Sequence, residues 1–132
     1  MWPCVARCKS FVAIARQNGG KTVGFILPLI NCLLSVDDYP EETEAPLAVI
    51  VCPNWKKCVE MDHTVQAIFA DIPDAVPNDK RRLTARCIYE QEKRMQPAIL
   101  NGSHVLIATP TSLLRDDIQC CREVTGHGFS LL

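Results

Sequence analysis

Between two apolar runs the chain carries Asn18-Gly19-Gly20-Lys21-Thr22. Two glycines, a lysine and a hydroxyl at this spacing suit the cradling of phosphate. In a glycine-rich turn the backbone N–H groups point into an anion-sized hollow, and the start of the following helix adds its dipole. There Lys21 would reach the β- and γ-phosphates of a nucleotide, and the Thr22 hydroxyl would hold Mg²⁺. The generic pattern wants glycine six positions before the lysine, where this chain has Ala15. A plain tight turn is the simpler alternative.

Other reactive side chains give weaker patterns. The eight cysteines are Cys4, Cys8, Cys32, Cys52, Cys58, Cys87, Cys120 and Cys121. Cys4 with Cys8 makes one loose pair and Cys120, Cys121 and His127 another, but none has the compact spacer of a zinc site. Most of the rest lie in apolar runs, where a free thiol behaves as a small buried hydrophobe. They are expected to be reduced, structural and cytosolic. Asp116-Asp117 reads as a solvated helix face. So does the basic cluster of Lys80, Arg81, Arg82, Arg86, Lys93 and Arg94, which otherwise suits RNA phosphates. His63, His104 and His127 show no partner pattern.

The elements that would position the loop follow from periodicity. Ser10 to Ala15 is a short apolar run that suits a buried parallel strand, and Thr22 to Leu34 reads as a helix apolar nearly all round, kinked at Pro28. Carboxylates crowd 37–44, a solvated loop. Leu47 to Cys52 is a second buried strand. Pro53 and Asn54 open a helix whose core face is Cys58, Met61, Val65, Ile68 and Phe69, ending at Pro73. Leu83 to Tyr89 suits a strand with a charged helix after it to Gln96, the preferred reading, while Lys80 to Gln96 also reads as one charged helix. His104 to Thr109 is a third buried strand, and Pro110 starts a helix. Strands alternating with helices give an α/β fold with a parallel sheet and helices on both faces.

Composition bounds the rest. The 132 residues are 48% hydrophobic and 22% charged, ordinary for one small globular domain. Lys and Arg total 14 against 15 Asp and Glu, a formal net charge of −1, which excludes a polybasic coat on nucleic acid. The run from Val23 to Val36 contains Pro28 and Asn31 and falls short of the roughly 20 apolar residues a membrane span needs. Arg7, Lys9 and Arg16 break any secretory apolar core. An acid-free start before Asp37 is also the composition of a mitochondrial leader, the lesser reading.

Three stretches in order resemble the DEAD-box RNA helicases over residues 2 to about 115. Ala15-Arg16-Gln17-Asn18-Gly19-Gly20-Lys21-Thr22, followed by Phe25 and Pro28, resembles motif I, and Trp2-Pro3 matches the pair that precedes it. Residues 46–53, Pro-Leu-Ala-Val-Ile-Val-Cys-Pro, resemble the approach to motif Ia. Gly102 and Val105-Leu106-Ile107-Ala108-Thr109-Pro110, with Leu113 and Leu114, resemble motif Ib. More narrowly, Cys52-Pro53-Asn54-Trp55-Lys56-Lys57 and Thr109-Pro110-Thr111-Ser112-Leu113-Leu114-Arg115 look like the tudor-domain-containing RNA helicases of the piRNA pathway.

The resemblance implies an incomplete RecA-like domain over 1–121, with 122–132 an unassigned tail. It implies ATP with Mg²⁺ at Ala15, Asn18, Gly19, Gly20, Lys21 and Thr22. It implies RNA backbone at Pro53, Asn54, Trp55, Lys56, Thr109 and Pro110, and piRNA-pathway proteins as partners. Departures accompany it. Asn18 replaces a glycine, though Asn tolerates the left-handed conformation. Trp55 and two lysines replace the Arg-Glu of motif Ia, leaving phosphate contact to Lys56 or Lys57. Trp55 either stacks on a base or anchors its helix against the core. The family's Gly-Gly is missing around Tyr89 and Glu90, and its adenine-reading glutamine would lie just upstream of Trp2.

The 132 residues reach Leu132 without the Asp-Glu-Ala-Asp or Ser-Ala-Thr motif. Hydrolysis needs a metal-holding carboxylate, a water-positioning residue and usually an arginine finger. No catalytic residue is therefore assigned here, and the chain alone is expected to be inactive, a truncated product with the edges of its phosphate-loop strand open. Three readings stand: part of an ATP-dependent RNA helicase, a degenerate non-catalytic scaffold for RNA or protein, or an unrelated phosphate-loop module.

Overall fold

The structure is a computed structural model that describes residues 2–7, 9–35, 46–75, 83–89 and 103–114. It divides into two compact units, Met1–Pro40 and Glu41–Leu132.

In the first unit, helix α1 (Trp2–Ala6) packs on helix α2 (Lys21–Leu34). Pro3 falls in the first turn of α1, where its missing N–H costs nothing. The α1 contact includes the Cys32 thiol donating to the Val5 carbonyl at 3.9 Å. Pro28 lies inside α2. This helix is not buried all round. Ile26, Ile30 and Leu33, at helical spacing, form a buried stripe, while Val23 and Leu27 are exposed.

The expected first strand is absent. Residues 9–16 are irregular and make no ladder among the described residues, with Val12 and Ile14 89% and 95% exposed. An apolar run becomes a strand only when a neighbouring strand takes its N–H and C=O groups, and no strand among the described residues does so here.

The second unit holds a parallel sheet of β1 (Ala48–Val51), β2 (Ala85–Ile88) and β3 (Val105–Ala108) in the order β1-β3-β2. Ala48, Val105 and Ala85 stand in register, as do Val51, Ala108 and Ile88. The central strand β3 is covered on both faces and is apolar throughout, as buried parallel strands are. Its four residues are at most 1% exposed.

Helix α3 (Trp55–Ala75) lies against β2 and β3. Cys58, Met61, Val65, Phe69 and Ile72 are its buried row, and Ile68 is half-buried. Each such side chain taken from water contributes about 1.5–3 kcal/mol. The helix runs past Pro73 to Ala75, because a proline in a last turn removes only one intrahelical bond. On the opposite face Ile88, Leu106 and Ala108 cluster with Val49 and with Leu113 of helix α4 (Pro110–Leu113).

A histidine ties the N-terminal ends of all three strands. The His104 carbonyl accepts from the N–H groups of Leu47 and Ala48 at 3.0 and 3.1 Å, and its own N–H donates to the Thr84 carbonyl at 2.9 Å. The Thr84 N–H in turn donates to His104 Nδ1 at 3.0 Å. That bond needs an unprotonated Nδ1, and burial holds the His104 pKa below its ordinary value.

The 37–44 loop, the helix after Tyr89, Asp116-Asp117, the tail and the basic cluster apart from exposed Arg86 lie outside the described residues.

Candidate functional site

The phosphate-loop candidates fold as one turn. Asn18 sits at φ 59°, the one non-glycine residue with positive φ among those described, and Gly20 at φ 73°. Asparagine is among the few side chains that accept this region, so the loop keeps its shape where the family pattern has glycine. Gly19 donates to the Arg16 carbonyl at 3.1 Å, and a Cβ placed on it would stand 2.9 Å from that oxygen. The turn therefore closes only around a residue without a side chain.

Lys21 lies at the centre of the curl. Its Nζ donates to the carbonyls of Ala15 and Arg16 at 2.7 and 2.8 Å. Gly20 is the N-cap of α2, and no side chain caps that end. The N–H groups of its first turn are thus open to an anionic ligand. Phosphate fits this donor set. A nucleotide's phosphates would draw the Lys21 ammonium from the two carbonyls, and half-buried Thr22 would supply the hydroxyl for Mg²⁺.

The six RNA candidates belong to the second unit. Strands that all run parallel end on one edge, and side chains at that edge form the usual binding crevice of open α/β sheets. Cys52 donates from its N–H to Ala108 at 2.9 Å, extending the β1 pairing by one step before Pro53 turns the chain. Asn54 caps α3, its Oδ1 accepting from the Lys57 N–H at 2.9 Å. Thr109 caps α4 in the same way, accepting from Ser112 N–H at 3.3 Å with Pro110 as first helical residue. The Thr109 hydroxyl also bonds the Ser112 hydroxyl at 2.8 Å and is buried. Both polar groups serve the fold, and Pro53, Trp55, Lys56 and Pro110 are left exposed.

The two lysines after Trp55 differ. Lys57 pairs with Glu60 at 2.7 Å. Lys56 has no ion pair among the described residues and holds its ammonium 5.8 Å from the centre of the Trp55 ring. Trp55 also meets Tyr89, with ring centroids 6.4 Å apart. Sequence reasoning passed over Tyr89. The only sequence signal was an aromatic residue at the end of the run Leu83 to Tyr89.

Three of the described cysteines gather. Cys52 after β1, Cys58 in α3 and Cys87 in β2 form a chain of neighbouring thiols. Burial, then the adjacent Cys58, pushes the Cys52 thiol up to about 11, and burial raises Cys58 as well. Both stay protonated near neutral pH. Among the described residues no group of three metal-ligating side chains is placed to hold a metal. Cys8, Cys120, Cys121 and His127 lie outside them. None of the described helices is long and apolar enough to cross a membrane.

Comparison with known proteins fits this architecture. The chain is 27% identical over 122 residues to the pre-mRNA-splicing ATP-dependent RNA helicase PRP28 of Debaryomyces hansenii, covering 85% of this chain and 20% of that protein. It is 28% identical over 114 residues to the DEAD-box ATP-dependent RNA helicase 35B of Oryza sativa subsp. japonica, covering 84% and 18%. It is 26% identical over 125 residues to the ATP-dependent rRNA helicase SPB4 of Debaryomyces hansenii, covering 85% and 20%. The chain thus spans about a fifth of the length of these relatives. The DEAD/DEAH box helicase family profile matches residues 1–127. With a parallel sheet and a glycine turn leading into a helix already in place, that match makes the chain a member of the DEAD/DEAH box helicase family.

Proposed function

We propose that residues 15–22 bind the phosphates of ATP, and that the strand-end residues of the second unit bind RNA backbone, as part of an ATP-dependent RNA helicase. One observation carries the nucleotide half: Asn18 and Gly20 both adopt the left-handed conformation on either side of a glycine that has no room for a Cβ. ATP-dependent RNA helicases among the relatives support the same reading.

The affinity of the chain for ATP is weak. A helix N-terminus contributes only about 0.3–1 kcal/mol per anionic group, while millimolar binding already needs roughly 4 kcal/mol. The test is calorimetric titration with ATP. Weak binding that falls at least about tenfold in Lys21→Ala is the expected result. Unchanged binding in Lys21→Ala overturns the phosphate-loop assignment.

The finer reading is a cytoplasmic role beside piRNA-pathway proteins. It rests on the wording of residues 52–57 and 109–115 alone. Immunoprecipitation of the protein from germ cells, with sequencing of the bound RNA, tests it: piRNA precursors support it, and spliceosomal RNA replaces it.

A further inference from the structure

Trp55 and Tyr89 are brought together by different strands. Trp55 follows the β1 exit and Tyr89 follows Ile88, the last residue of β2, so the two rings meet at the strand-end edge. Their planes diverge by 33°, neither the offset-parallel nor the edge-to-face arrangement that aromatic pairs prefer. Trp55 is 45% exposed, although tryptophan is on average a highly buried residue. An indole that served only to anchor α3 would be covered, and the buried row of that helix starts at Cys58.

We propose that Trp55, backed by Tyr89, is a stacking platform for an unpaired RNA base, with the Lys56 ammonium taking the adjoining phosphate. Resting on the RNA reading above, the proposal adds base contact to backbone contact. Lys56 stands 5.8 Å from the ring centre, so base and phosphate of one nucleotide meet neighbouring groups. Asn54 and Thr109, occupied as caps, are not needed for it. Every base has a π-face, so the platform binds single strands with little sequence preference.

The test uses the full chain carrying Trp2→Phe, which leaves Trp55 as the only indole of the two in the sequence. A short single-stranded oligouridine is compared with an abasic ribose-phosphate oligomer of equal length. The expected result is quenching of Trp55 emission by oligouridine alone, with affinity about tenfold above that for the abasic oligomer. Trp55→Leu in the wild-type background lowers oligouridine affinity to the abasic level, and Trp55→Phe restores most of it. Tyr89→Leu gives a smaller loss and guards against a fold defect in the Trp55 variants. Equal binding of both oligomers without quenching overturns the platform and leaves the backbone reading standing. Failure of both oligomers to bind overturns both readings.

Discussion

Two apolar runs of similar composition meet different fates. Val105-Leu106-Ile107-Ala108 is the centre of a sheet, paired on both sides and at most 1% exposed. Phe11-Val12-Ala13-Ile14-Ala15 makes no ladder, and Ile14 is 95% exposed. The side chains alone do not explain this, since both runs read as buried parallel strands. Neighbours make the difference: β3 has β1 and β2 beside it and α3 across one face, whereas the loop-side run has no strand partner among the described residues. A parallel strand is a property of its sheet, and its apolar residues are only the condition for joining one.

The sharpest way to break this contrast is to truncate one residue in each run. Ile107→Ala should lower the free energy of unfolding by about 2–5 kcal/mol, since its cavity opens in the middle of the packed layer. Ile14→Ala should change it by less than about 0.5 kcal/mol. Urea titration followed by circular dichroism reads both. An Ile14→Ala loss comparable to that of Ile107→Ala would show the run to be paired and covered after all.

Local chemistry was the legible part of the sequence. The strands at 48–51, 85–88 and 105–108 lie inside the predicted runs; β1 and β3 are continuous apolar runs that leave little ambiguity, while β2, interrupted by exposed Arg86, is read from its alternation. The glycine turn before α2 was also legible, down to Asn18 in a left-handed position, since few residues other than glycine tolerate it. Long-range pairing was not. No spacing rule brings Tyr89 to Trp55 or Cys52, Cys58 and Cys87 together, for these contacts exist only once the β1-β3-β2 order is known. His104 was dismissed for want of a partner pattern, because its partner is Thr84, just before β2 and 20 residues away in the sequence.

That histidine gives the second contrast, of intermediate size. His104 Nδ1 accepts from Thr84 only when neutral, and its pKa in the fold is below the ordinary 6.5. A depressed folded pKa adds stability above the unfolded value, and this is lost as pH falls through the folded one. Thermal melting should therefore be flat from neutral pH to about pH 6.5 as far as this group is concerned, and weaken below that. His104→Ala should cost about 0.5–1.5 kcal/mol at neutral pH and flatten the acid limb. An acid limb of unchanged steepness in His104→Ala would assign the slope to the carboxylates instead.

The smallest effect separates the two adjacent lysines. Lys57 and Glu60 are 43% and 66% exposed, so their 2.7 Å pair on one helix face adds no more than about 0.5 kcal/mol. Lys57→Ala should barely move the melting temperature. Its larger consequence is for RNA, because an ammonium already facing Glu60 is a poorer phosphate ligand than Lys56, held over Trp55. Affinity for single-stranded RNA measured across a salt series should lose about 0.7 from its logarithmic slope in Lys56→Ala. In Lys57→Ala the slope should stay nearly as it was. Equal losses in the two variants would mean that the Glu60 contact gives way to phosphate at no measurable cost, and that the edge binds RNA through both cations.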